Sequence, residues 1–298
     1  MKIVKVINNN IVSTCDEDGR EIVVMGRGIG FKAREGSVID QEKIEKVFRL
    51  DSQNTMDRFK EMLVNLPMEH VQISAEIISY AKSVLNRPIN PNVYITLTDH
   101  INFALERFKQ KMMFSNPLIR EVKAFYNEEY LIGEYAIAMI ERDLGVKLSV
   151  DEAASIALHI VNAEYDGPMG DTIKITNLIQ QVLEVVKEYF QVELDKQSLY
   201  YERFITHLRF LAQRVFTGER MELDNLEFQE MIDRMYPEEY ACSQKVKALI
   251  QREYGHEVTE EELAYLTLHI RRIRSRSKME NARNLCILKG VNKDAWWI

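Results

Sequence analysis

The chain has 298 residues, of which 46% are hydrophobic and 29% are charged, so a disordered chain is excluded and two or three packed domains are expected. The net charge of −7 is not typical of a nucleic-acid-binding protein, so any such surface must be local. Three scattered cysteines argue against a disulfide framework, and the absence of a signal peptide or a long apolar stretch predicts a cytoplasmic protein without membrane insertion.

The first 50 residues show the pattern of short β-strands. Asparagines at 8–10 and the sequence Asp-Glu-Asp-Gly at 16–19 favour turns between alternating segments. A four-stranded antiparallel meander fits these signals. So small a sheet buries little surface, and we expect it to dimerise through the sheet. The predicted strands are residues 2–7, 11–15, 21–25 and 44–50.

The pattern becomes helical from Thr55 onward. Apolar residues of 73–85 recur three and four positions apart, as on one face of a helix. The segment 166–171, with two glycines and a proline, is the clearest break in the helical half and predicts a linker.

An internal repeat is the strongest signal in the chain. Residues 126–160 and 236–270 match without a gap at an offset of 110, with 13 identities in 35 positions. The period is too long for a solenoid and indicates a duplicated helical domain. The predicted fold is therefore multidomain: a small all-β antiparallel domain followed by two homologous all-α helical-bundle domains.

Both repeats carry the same signal for the start of a helix. Ser149 with Glu152, and Thr259 with Glu262, have the spacing of a capping box. A histidine follows each cap by ten residues, near the expected end of its helix. Since a helix C-terminus favours a cation, we expect charged imidazoles there.

Four of the six histidines fall at paired repeat positions, which is hard to explain by structural roles alone. Three functions remain open for them: metal binding, acid–base catalysis and phosphoryl acceptance. Phosphate would add about −1.5 to −2 charges at a site. An arginine such as Arg209 or Arg271 could then bridge to the phosphate. The four histidines are His100, His159, His207 and His269.

Several sequence segments, among them MKIVKVINNN, VVMGRGIGF, LTDHINFA and IALHIVNAE, resemble the BglG/SacY family of antiterminators. The resemblance extends from residue 1 to about 276 and is strongest to the β-glucoside branch. It implies a CAT RNA-binding domain and two PTS-regulation domains (PRDs). A tail of unknown role follows. The corresponding ranges are 1–55, 56–170, 171–276 and 277–298.

The resemblance implies a regulator without enzymatic activity or a cofactor. A CAT dimer would bind a hairpin in leader mRNA and prevent a terminator from forming. A sugar-specific Enzyme II of the phosphotransferase system (PTS) would phosphorylate the first PRD and inactivate the protein. The phosphocarrier HPr would phosphorylate the second PRD and activate it. The implied phosphorylation sites are the same four histidines.

Turn and loop residues of the β domain are the candidates for RNA binding. Asparagine amides can pair with base edges, glycines let the backbone approach phosphate, and an exposed aromatic ring can stack on a base. Two alternatives stay open: a DNA-binding activator, which predicts an N-terminal helix-turn-helix, and a metal-dependent enzyme. The candidate RNA-binding residues are Lys5, Asn8, Asn10, Gly26, Arg27, Gly28 and Phe31.

Overall fold

The computed structural model describes residues 1–50, 52–112, 114–165, 169–218 and 226–288. The chain divides into two compact units, Met1–Thr172 and Ile173–Ile298. Within the described residues, no helix has both the length and the apolar character that crossing a membrane requires.

The N-terminal segment is a four-stranded antiparallel sheet in which each strand pairs with the next one along the chain. This topology confirms the predicted meander. The sheet occupies the N-terminal position at which a DNA-binding activator would need a helix-turn-helix. The fourth strand is shorter than predicted at both ends, and residues 41–43 form a 3-10 turn before it. The strands are β1 (Ile3–Asn8), β2 (Ile11–Cys15), β3 (Glu21–Met25) and β4 (Lys46–Phe48).

The first unit continues with six helices that form the first helical domain. Gly133 lets two of these helices touch, since an added Cβ would lie 2.1 Å from the Ala153 carbonyl oxygen. The helices are α1 (Gln53–Leu63), α2 (Met68–Leu85), α3 (Val93–Lys109), α4 (Ile119–Phe125), α5 (Asn127–Leu144) and α6 (Val150–Tyr165).

Both faces of the sheet are covered within the chain. On one face, Val12 and Val24 pack with Ile29 from the loop that follows β3. On the other face, the Phe48 ring meets Phe59 of α1 and Tyr94 of α3 edge to face, with ring centroids 5.1 and 5.3 Å apart. The first helical domain thus provides the apolar cover that we expected from a second copy of the sheet.

The second helical domain repeats the arrangement. Residues 169–171 of the predicted linker form the start of a helix, and residues 166–168 lie outside the described residues. Residues 277–288 of the predicted tail continue the last helix, while 289–298 also lie outside the described part. The helices are α7 (Met169–Phe190), α8 (Leu199–Thr217), α9 (Leu226–Met235), α10 (Pro237–Tyr254) and α11 (Glu260–Leu288).

Candidate functional site

The loop that follows β3 exposes an aromatic ring and cationic side chains. Phe31 is 60% exposed, and the Lys32 ammonium lies 5.4 Å from the centre of its ring. Arg27 and Lys5 are also exposed. The loop thus combines an exposed aromatic ring with two cationic side chains, whereas Lys5 lies in β1, where its charge acts on Asp57 of α1. An aromatic ring with cations nearby suits an unpaired base and its phosphate.

Two of the predicted asparagines hold this loop in place from inside. The Asn8 amide nitrogen donates to the Leu63 carbonyl of α1, and its amide oxygen accepts from the Asn10 backbone, both at 2.9 Å. The Asn10 amide oxygen accepts from the Gly28 backbone N–H at 2.8 Å. These hydrogen bonds link the end of α1 to the loop that follows β3. No local sequence pattern indicates the bond between Asn8 and Leu63, because the two residues are 55 positions apart.

Two of the predicted glycines are needed for the shape of the loop. Gly26 is buried, and a Cβ on it would lie 1.7 Å from the Lys43 carbonyl oxygen. Gly28 has a φ of +68°, where side chains are strained. Between them, the Arg27 backbone N–H donates to the Glu45 carboxylate at 3.1 Å. The glycines therefore fix how Arg27 is presented.

His100 and His159 meet between α3 and α6. Their ring centroids are 4.6 Å apart with an angle of 39° between the planes. Burial, with a smaller contribution from the neighbouring His100, lowers the pKa of His159 to about 3. His159 is therefore neutral at physiological pH. The predicted charged imidazole is wrong here, since the cost of burying charge outweighs the helix-end effect.

A buried ion pair borders this first histidine pair. Arg107 of α3 donates to Glu152 of α6 at 2.5 Å, and the other carboxylate oxygen lies 3.2 Å from His100 Nε2. Two rings, of Phe103 and Phe114, lie 4.8 and 4.2 Å from the Arg107 guanidinium. The Glu152 carboxylate thus faces arginine and histidine, and Ser149 instead offers its backbone carbonyl to the Glu152 N–H.

The second domain builds the same pair from α8 and α11. The rings of His207 and His269 are stacked, with centroids 4.5 Å apart. Burial lowers the pKa of His207 to about 3, helped by the positive charges of His269 and Arg214. The pKa of His269 is also lowered, by burial and then by Arg272 and Arg203. Moreover, His269 lies well inside α11, so no helix end is near it.

The acid of the second domain is used differently. Glu262 accepts from Arg214 at 2.8 Å with one oxygen and from the Thr259 backbone N–H at 3.2 Å with the other. The Glu262 N–H in turn donates to the Thr259 hydroxyl, so the predicted capping box forms here. The buried His207 Nε2 has no hydrogen-bond partner among the described residues.

Two cations near the second pair escaped the sequence reasoning. Arg203 and Arg272 act on His269, whereas Arg271, the predicted bridge, pairs with Glu239 at 3.4 Å. A comparison of the two repeats could have identified these arginines, because the positions equivalent to Arg203 and Arg272 in the first repeat are uncharged. The second site is therefore the more cationic one.

The metal-binding hypothesis depends on the other histidines and on the acidic side chains around them. His70 lies outside the pairs, and its Nδ1 is 2.8 Å from the Asn102 amide oxygen in the helical core. Within the part of the chain that the structure describes, no three His, Cys, Asp or Glu side chains are grouped so that they could hold a metal ion.

Comparison with known proteins gives a consistent match along the chain. The family "CAT RNA binding domain" matches residues 1–57, and the family "PRD domain" matches residues 75–163 and 180–273. Transcription antiterminator LicT of Bacillus subtilis (strain 168) is 45% identical over 273 residues, covering 92% of this chain and 99% of that protein. The beta-glucoside operon antiterminator of Dickeya chrysanthemi is 39% identical over 282 residues, covering 95% and 100%.

Two solved structures also match. The crystal structure of GlcT CAT-PRDI is 34% identical and covers 55% of this chain and 97% of that one, with a TM-score of 0.49. The structure of the LicT antiterminator protein in complex with its RNA target is 54% identical and covers 18% and 98%, with a TM-score of 0.17.

Proposed function

This chain belongs to the BglG family of transcriptional antiterminators, RNA-binding regulators rather than enzymes, and we propose that it binds a leader-mRNA hairpin as a homodimer so that a terminator cannot form. Because it acts on nascent RNA, it works in the cytoplasm. The sugar to which it responds is a β-glucoside, an assignment that rests on the name of the Dickeya relative.

The RNA is held by the exposed side chains of the N-terminal domain. Phe31 stacks on an unpaired base, while Arg27 and Lys5 contact phosphates or base edges. The asparagine amides form hydrogen bonds inside the domain, and the buried glycine has no room for a side chain. These residues therefore support the shape of the loop and do not contact RNA themselves. These supporting residues are Asn8, Asn10, Gly26 and Gly28. Local positive charge on this surface offsets the acidic charge of the whole chain.

The four paired histidines accept phosphate from PTS proteins. One observation carries this proposal: each PRD-matching domain contains two imidazoles about 4.5 Å apart, and burial keeps at least one of each pair neutral. A neutral ring has the lone pair that attacks phosphorus, whereas a protonated ring does not. HPr is the donor for the second domain, and a sugar-specific Enzyme II is the donor for the first.

The two sites respond differently to the charge that phosphate brings. In the first domain, phosphate arrives beside the Glu152 carboxylate, which repels it and favours separation of α3 from α6. In the second domain, Arg203 and Arg272 attract it and favour a closed arrangement. Inactivation through the first domain and activation through the second follow from this difference as a population shift.

Helix α3 connects the first histidine pair with the RNA-binding sheet. It carries His100 near its middle and, six residues earlier, Tyr94, which packs against Phe48 of the sheet. Pairing of two sheets through this face requires α1 and α3 to leave it. A change in the position of α3 therefore alters the sheet face available to a second copy, and avidity makes RNA binding depend steeply on that change.

Two measurements test the proposal. Purified protein is incubated with phosphoenolpyruvate, Enzyme I and HPr, with and without the Enzyme II, and its intact mass is compared with that of the four single His→Ala variants. Each domain should gain acid-labile phosphate that its own variants lose. In gel-shift titrations, the protein should bind its leader hairpin, and phosphate on the first domain should weaken that binding. Absence of phosphate uptake, or of any hairpin binding, refutes the proposal.

A further inference from the structure

Two buried polar atoms, one on His100 and one on Glu152, face each other beside the first histidine pair. His100 Nε2 and the nearer Glu152 oxygen are both inaccessible to solvent, and neither forms a hydrogen bond with any of the described residues. They lie 3.2 Å apart. At this distance a proton on Nε2 would let the two atoms pair, whereas a lone pair there would leave two buried acceptors facing each other.

The Glu152 carboxylate is not free to turn away from His100. Its other oxygen is bound to Arg107, whose guanidinium lies between the rings of Phe103 and Phe114. Arginine donates only, so Arg107 keeps the carboxylate in its acceptor role. The histidine tautomer is therefore determined by a neighbour that is itself fixed, as in other carboxylate–histidine pairs.

We propose that Glu152 is a positioning residue that fixes the Nε2–H tautomer of His100 and thereby directs phosphate to His100 Nδ1. This inference rests on the phosphorylation proposed above. The Nδ1 lone pair attacks phosphorus, and an N–P bond forms while the bond between phosphorus and the donor's nitrogen or sulfur breaks. The electron pair of that bond leaves with the donor, and the Nε2 proton stays on the ring, facing Glu152.

The second domain provides a matched control. Both oxygens of Glu262 are occupied, one by Arg214 and one by the Thr259 backbone. A Glu262→Gln substitution therefore removes the same charge next to an arginine without changing the partner of a histidine. Any general effect of a buried glutamine should appear in both variants, while a tautomer effect should appear only at Glu152.

Glu152→Gln should reverse the tautomer instead of merely weakening it. The amide oxygen of the new side chain stays on Arg107, so its NH₂ group faces His100 Nε2 as a donor. The ring then presents a lone pair at Nε2 and carries its proton on Nδ1. Because a hydrogen bond to a charged group strongly favours one tautomer, phosphate on Nδ1 should fall at least about tenfold.

The test uses the full chain phosphorylated by phosphoenolpyruvate, Enzyme I, HPr and the Enzyme II. The tryptic peptide that carries His100 is recovered at alkaline pH, and antibodies specific for Nδ1- or Nε2-phosphohistidine identify the isomer. The wild-type chain should carry phosphate on Nδ1, Glu152→Gln should lose it at least tenfold, and Glu262→Gln should match the wild type. Glu152→Asp, which keeps the charge, should restore the Nδ1 isomer.

Two kinds of failure can be told apart. A chain that takes up no acid-labile phosphate refutes the proposed function and this inference together. Phosphate on Nε2 of His100, phosphate confined to His159, or an unchanged amount of the Nδ1 isomer in Glu152→Gln refutes the inference and leaves the proposed function standing. Circular dichroism checks that the variants fold, and the isomer found in the wild-type chain tests the inference without any substitution.

Discussion

Buried neutral histidines make the stability of this protein depend on pH in a way that one substitution isolates. An unfolded histidine binds a proton below about pH 6.5, whereas folded His207 does not bind one until about pH 3. Between these values, lower pH favours the unfolded chain by about 1.4 kcal/mol per pH unit. From pH 7 to pH 5, His207 therefore removes about 2 kcal/mol from the free energy of unfolding.

The perturbation is His207→Asn, which leaves no titrating ring at this position. Its free energy of unfolding at pH 7 will differ from that of the wild type, because the ring contact with His269 is lost. The test therefore compares only how the free energy of unfolding changes with pH. We expect the variant to lose about 2 kcal/mol less than the wild type between pH 7 and pH 5.

Urea unfolding followed by circular dichroism, at pH 7, 6 and 5 and constant ionic strength, measures this difference. The same substitution at His256, which lies outside both pairs, controls for the loss of one histidine. Parallel pH slopes for the wild type and His207→Asn would mean that His207 is not held neutral and that burial does not keep its ring ready to attack phosphorus.

Three further substitutions test other parts of the molecule. Phe31→Ala should weaken hairpin binding about ten- to a hundredfold in gel-shift titrations without changing the helical circular dichroism, since one stacked base contributes about 1–3 kcal/mol; unchanged affinity would remove the stacking role. His159→Asp, which places negative charge beside His100, should reduce antitermination in a reporter with the cognate leader, and full activity would contradict inhibition through the first domain. Gly133→Ala should lower the free energy of unfolding by about 1–3 kcal/mol in urea titrations, because its Cβ meets the Ala153 carbonyl at 2.1 Å; wild-type stability would show that α5 and α6 can separate without cost.

The sheet and the duplicated helices were predictable because local periodicity records which face of an element is buried. Strand alternation placed β1 to β4 within a few residues, and the repeat identified the equivalent histidines. The partners of the sheet were not predictable in the same way. Phe48 and Tyr94 meet across 46 positions, and no local pattern distinguishes a face covered by helices from one covered by a second copy.

The charge state of the histidines was predicted wrongly because a local effect was weighed without its tertiary competitor. A helix end stabilises a cation by about 0.3–1 kcal/mol at an exposed site. Lowering the pKa of His159 from 6.5 to about 3 corresponds to about 5 kcal/mol against the cation. That larger energy comes from packing between α3 and α6, which the sequence around His159 does not contain.

The capping boxes show how duplication can produce two chemical sites from one sequence motif. At Thr259 the capping box forms, and the two oxygens of Glu262 accept hydrogen bonds from the Thr259 backbone and from Arg214. At Ser149 the same spacing leaves the acid to Arg107 and His100. Under the proposed phosphorylation, a carboxylate that faces a histidine would fix its tautomer and repel the attached phosphate, while a carboxylate held in its own cap would do neither. Two domains with the same fold and the same histidine pair would then respond with opposite sign to the same modification.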